Sequence, residues 1–101
     1  MQDEDLVGRL VFSRAGRDRG RALLVLKMLN DRLVMVVDGD LRTLENPKPK
    51  NLKHLQVTNR VARDVREKVA RGDPLDNALI RRAIDALAGE GYWREGGPEG
   101  D

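Results

Sequence analysis

Between Leu6 and Val57 the chain is cut into short apolar runs, each the length of one strand, by breaks that suit turns. Leu6 to Phe12 has β-type composition, and Ser13 to Gly20 is polar and glycine-bearing, hence a loop. Arg21 to Leu29 is rich in Leu and Val, and Arg32 to Val37 returns after Asn30-Asp31, two residues that tolerate positive φ. Asp38-Gly39 is a stronger hairpin signal, because a type I′ turn needs positive φ at both central residues. Asp40 to Leu44 reads as a fourth strand and Leu52 to Val57 as a fifth. The segment from Glu45 to Asn51 holds Pro47 and Pro49, which lack the amide donor a sheet interior requires, so it reads as a loop. Five short strands joined by tight turns within residues 6–57 predict a small barrel.

At Thr58 the period changes from two to nearly four. Val61, Val65 and Val69 recur on one helical face, with Thr58 as N-cap and Gly72 as the residue after the last turn. Asp73-Pro74 offers a second start, an N-cap followed by proline at the first helical position. Leu75, Leu79, Ala83 and Leu87 then form a stripe, widened by Ile80 and Ile84, that ends at Gly89. The chain is thus expected to be mainly β with an α appendage: a barrel over 1–57, a helical hairpin over 58–89, and a glycine- and glutamate-rich tail over 90–101 with Tyr92 and Trp93 as its candidate anchors.

Charge marks where function could lie. Charged residues are 36% of the chain, yet the net charge is only +2, so distribution matters more than total. Residues 1–57 carry 11 basic and 8 acidic side chains, whereas residues 58–101 carry 8 basic and 9 acidic. Arg9, Arg14, Arg17, Arg19 and Arg21 meet only Asp18 in their stretch, and Arg42, Lys48, Lys50 and Lys53 meet only Glu45 in theirs. Two basic clusters in one half suggest a directed patch. In Gly16-Arg17-Asp18-Arg19-Gly20 the glycines permit a tight backbone, and guanidinium groups suit phosphate because their planar fork binds two oxygens at once.

The stretch Gly8-Arg9-Leu10-Val11-Phe12-Ser13-Arg14-Ala15-Gly16-Arg17-Asp18-Arg19-Gly20 resembles the KOW motif of ribosomal proteins and transcription-elongation factors: a glycine-led strand, a Gly-basic-Asp-basic-Gly loop, and a hydrophobic strand. Leu44 to Leu55, containing Pro47-Lys48-Pro49-Lys50-Asn51 and Lys53-His54-Leu55, is similar to the matching segment of small bacterial KOW proteins related to a large-subunit ribosomal protein family. Residues 5–57 carry the resemblance; where many KOW motifs add a further glycine, this chain has Arg21-Ala22-Leu23-Leu24. The resemblance implies a five-stranded SH3-like barrel whose loops bind structured RNA, usually rRNA of the large subunit. By position it implies RNA contacts at Arg14, Arg17, Arg19, Arg21, Lys48, Lys50, Lys53 and His54, and structural roles for Gly8, Gly16 and Gly20.

Other readings stand beside this one. The arginine loop could be a solvated turn, the Pro-Lys loop a stiff linker, and the hairpin plain packing or a surface for a protein partner, making the chain an adaptor. Arg81 and Arg82 are flanked by Asp76 and Asp85, which disfavours DNA reading by a helix-turn-helix. One Phe, one Tyr and one Trp are too few for a stacking platform on single strands. With no cysteine and a single histidine, neither a disulfide framework nor a metal site is expected. No nucleophile-base-acid set suggests an enzyme or a small-molecule substrate. No apolar run exceeds that of Leu33 to Val37, and Met1 to Asp5 is acidic where a signal peptide opens basic, so a cytoplasmic, non-membrane location is expected.

Overall fold

A computed structural model describes residues 6–89. The tail over 90–101, with its candidate anchors Tyr92 and Trp93, lies outside the described residues. Five strands form one antiparallel sheet: β1 Arg9–Ser13, β2 Ala22–Met28, β3 Leu33–Val37, β4 Lys48–Asn51 and β5 Leu55–Val61, in the order β4-β3-β2-β1-β5. Two helices follow, α1 Arg63–Arg71 and α2 Asn77–Ala88. The chain is thus mainly β with a helical part.

The sheet is coiled, and the connection between its edges requires this. Five flat strands would hold β4 and β5 about 19 Å apart, four spacings of ~4.8 Å. The chain covers that gap in the step from Asn51 to Leu55, through a single 3₁₀ turn at Leu52–His54. Four residues reach about 14 Å at full extension and less when wound. The two edges are therefore drawn toward each other, although no ladder joins β4 to β5 among the described strands.

Both faces of the central strands are covered. On one side, Leu10, Phe12, Ala22, Leu24 and Val37 pack against Val65, Ile80, Ile84 and Ala88 from the helices. On the other, Val11, Leu23, Val25, Val34 and Val36 pack with Leu6 and Leu55 inside the coil. Adjacent residues thus enter opposite cores, so Leu10-Val11-Phe12 and Ala22 to Val25 are buried without interruption.

The first three strands fall near their expected places, with β1 opening at Arg9 instead of Leu6. The fifth is found in part, since Leu55–Val57 of the expected Leu52 to Val57 lies in β5, which opens after the Leu52–His54 turn and runs on to Val61, but the fourth is not. Asp40 to Leu44 is not a strand, because the Asp38 carboxylate accepts the amides of Asp40 and Arg42, both at 2.8 Å, and winds the segment around itself. Among the described residues none other than glycine has positive φ, so neither Asp38-Gly39 nor Asn30-Asp31 makes a type I′ turn; Asn30 Oδ1 accepts the amides of Arg32 and Leu33 instead. The Pro-Lys segment expected as a loop supplies β4 at the sheet's edge, where Pro49 opposes Met35 and its missing donor costs no ladder bond.

The strand-to-helix boundary falls at Ala62, not at Thr58. Thr58 lies inside β5, where the register against β1 shifts between Arg9 and Val11, and its hydroxyl donates to the Leu10 carbonyl at 2.7 Å. A side chain serving the irregular ladder is not free to cap a helix. Gly72 does end α1, with φ 73° and its amide on the Lys68 and Val69 carbonyls. The α2 cap is Asp76, which accepts the Leu79 amide at 2.7 Å, not Asp73. Asp73 is already used: its amide donates to Lys68 and its carboxylate accepts Arg71 Nε at 2.9 Å.

Candidate nucleic-acid interface

The loop between β1 and β2 is built as a closed unit. The amides of Ser13 and Gly20 donate to the carbonyls of Arg21 and Ser13, at 3.0 and 2.7 Å, closing its base. Inside, Gly16–Asp18 makes one 3₁₀ turn, and the Arg19 amide donates to Gly16. Gly8, Gly16 and Gly20 all have positive φ, at 81°, 77° and 84°.

The acid of this loop points inward. The Asp18 side chain is 5% exposed and accepts Arg42 Nη2 on both oxygens, at 3.3 and 3.2 Å; the Lys50 ammonium stands 3.9 Å away. Lys50 Nζ also donates to Ser13 Oγ at 3.1 Å and to the Ala15 carbonyl at 3.2 Å. Next to this group, Arg21 Nη1 pairs with Asp38 Oδ2 at 3.1 Å. Two buried carboxylates thus take up three cations, one from the arginine loop, one from the 40–44 turn and one from β4. Sequence reading gave no hint of Arg42's part, because its partner lies 24 residues away.

The expected contact residues consequently divide. Lys50 has a side chain only 11% exposed and spends its ammonium inside the protein, so it shapes the loop instead of facing outward. Arg21 is likewise turned to Asp38. Arg14, Arg17 and Arg19 are exposed and have no acidic partner among the described residues. Lys53 is exposed, and Lys48 and His54 are half-buried.

Backbone bonds bring the second cluster to the first. The Arg14 amide donates to the His54 carbonyl at 2.8 Å, seating the arginine loop beside the Leu52–His54 turn. That turn is held by the Asn51 side chain, which accepts the Lys53 amide at 3.0 Å. Its first amide, of Leu52, donates to the Arg32 carbonyl at 2.8 Å, placing Arg32 at the same end of the sheet. Arg32 was missed as a candidate because its only sequence context is a turn beside Asp31. The backbone of Arg14, of the Leu52–His54 turn that carries Lys53, and of Arg32 is thus joined by hydrogen bonds at one end of the sheet, and Arg14, Arg17, Arg19, Arg32 and Lys53 are all exposed.

Among the described residues no group of three or more His, Asp or Glu side chains gathers into a metal site, and no helix is long and apolar enough to cross a membrane. No protein-family model matches the chain, and no curated protein matches it.

Proposed function

We propose that this chain is a non-catalytic RNA-binding protein that holds the phosphate backbone of folded RNA against the loop end of its sheet. Its coiled sheet would serve as an SH3-like barrel of the KOW kind, which makes rRNA of the large ribosomal subunit the first target to test, in the cytoplasm. The single observation that carries this reading is the bond from the Arg14 amide to the His54 carbonyl, which sets two basic clusters edge to edge. The inward turn of Asp18 supports it further, because the loop's own acid then no longer cancels Arg17 and Arg19 where RNA would approach. The low aromatic content, 3%, favours recognition of shape and backbone over base stacking.

Each phosphate neutralised on binding releases counterions, so affinity for rRNA fragments should fall steeply with salt. Arg17→Ala and Arg19→Ala should each flatten the log–log salt slope by about 1. Arg17→Lys should keep the slope, since it keeps the charge. A slope near zero, or one indifferent to both alanine variants, would refute the proposal and favour the protein-adaptor alternative, in which the hairpin or the barrel binds another protein.

A further inference from the structure

The apolar stripe of α2 is wider than the sheet can cover. Ile80, Ile84 and Ala88 are buried, whereas Leu79, Ala83 and Leu87 stay half-buried and Ala86 is exposed. These four flank residues face Val61 and Ala62 across a groove of about 350 Å³. Its rim is cationic. Arg63 and Arg82 stand there without an acidic partner among the described residues, with Asp64 beside them. At the far end Arg60 Nη1 donates to the Leu87 carbonyl at 2.6 Å.

The sequence continues from this groove with a segment of complementary chemistry. Gly89 follows Leu87 by two residues and has φ 90° and ψ 143°, a conformation that turns the chain sharply off the helix and that L side chains avoid. Residues 90–101 hold the chain's one Tyr and one Trp, Tyr92 and Trp93, between Glu90 and Glu95. Glu90, Glu95, Glu99 and Asp101 face only Arg94 in charge, the opposite balance to the rim. Reach is sufficient: four residues from Gly89 to Trp93 extend up to about 14 Å, while Leu79 to Leu87 spans about 12 Å of helix.

We propose that the groove is a docking site for the chain's own C-terminal segment, with Tyr92 and Trp93 on the apolar floor and Glu90 and Glu95 toward Arg63 and Arg82. The docked segment covers the flank of α2 that the sheet leaves open. The proposal does not depend on RNA binding.

Trp93 is its own reporter, being the only tryptophan. In the full chain its fluorescence should be blue-shifted and protected from acrylamide relative to the urea-unfolded protein, equally so on dilution. Ala86→Glu, at an exposed position that should leave the fold intact, and Arg82→Glu, which reverses the rim, should each shift emission to the red and raise quenching toward the unfolded value. Circular dichroism would verify that both variants remain folded. Free quenching of Trp93 in the unmodified chain overturns the proposal. So does protection lost on dilution, which would assign the groove to a second copy, and so does protection that neither variant changes.

Discussion

Gly39 and Gly72 form a matched pair for separating backbone strain from packing. Both have left-handed φ, 78° and 73°. A β-carbon costs about 1–2 kcal/mol in that region, offset by about 0.4–1 kcal/mol from the stiffer unfolded chain. At Gly72 nothing lies within 4 Å of the added atom, so Gly72→Ala should cost only the difference, about 1 kcal/mol. At Gly39 the added atom would stand 2.5 Å from the Asn77 carbonyl oxygen and 2.9 Å from Arg81 Cγ. The first is backbone at the start of α2 and cannot swing aside. It moves only if the helix end moves, which would strain Asn77's bonds to Leu44 and Glu45, both at 2.9 Å. Overpacking of that kind adds about 1–3 kcal/mol. Gly39→Ala should therefore cost about 2–4 kcal/mol, a large share of the ~5–15 kcal/mol that holds a domain folded. Urea titration at neutral pH, with unchanged m-values, measures both variants directly. Costs within ~0.5 kcal/mol of each other would refute the claim that the 38–42 turn is locked against α2.

Two further outcomes follow from the charged groups. Asp18→Asn leaves Arg42 and Lys50 without their shared carboxylate; because both cations keep some contact with water, the cost should be about 1–3 kcal/mol by urea midpoint, against under ~0.5 kcal/mol for Lys53→Ala at the surface. A neutral Asp18→Asn would mean that this network does not hold the loop. Glu45 has its pKa lowered, chiefly because the Asn77 side-chain amide donates to its carboxylate and secondarily through a backbone bond. A depressed folded pKa contributes stability that is complete above the ordinary carboxylate range and disappears as pH falls through the lowered value. Asn77→Ala should move the Glu45 titration, followed by NMR, up toward that ordinary range; an unmoved titration would rule out Asn77 as the cause.

The sheet's centre was legible in the sequence, β5 only from Leu55 to Val57, and the edge strand β4 not at all, for a physical reason. β2 and β3 are apolar because each has a core on both sides, and that composition survives any local turn chemistry. β4 consists of Lys48-Pro49-Lys50-Asn51, residues that read as loop because their place is fixed by Val34, Met35 and Val36 across the ladder and not by their own preferences. Thr58 and Asp73 both look like caps, and each is occupied by a partner that only tertiary structure supplies, the Leu10 carbonyl and the Arg71 guanidinium. Among the candidate contacts, exposed Arg17 and inward Lys50 have equal standing in a sequence. They separate only because Lys50 projects from β4 toward Ser13 and Ala15.

The short crossing from Asn51 to Leu55 also bears on solubility. An open sheet ends in two rows of unsatisfied amides and carbonyls, the natural template for recruiting another chain. Here one row is interrupted by an imide at Pro49, and the other is bent where β5 departs from its register around Thr58. Coiling sets these imperfect margins obliquely, so neither offers a long straight docking strip. A copy of the same chain meeting it in a crowded solution should find little to extend, and slow fibril growth is the expected by-product of the path that seats the Leu52–His54 turn beside the arginine loop.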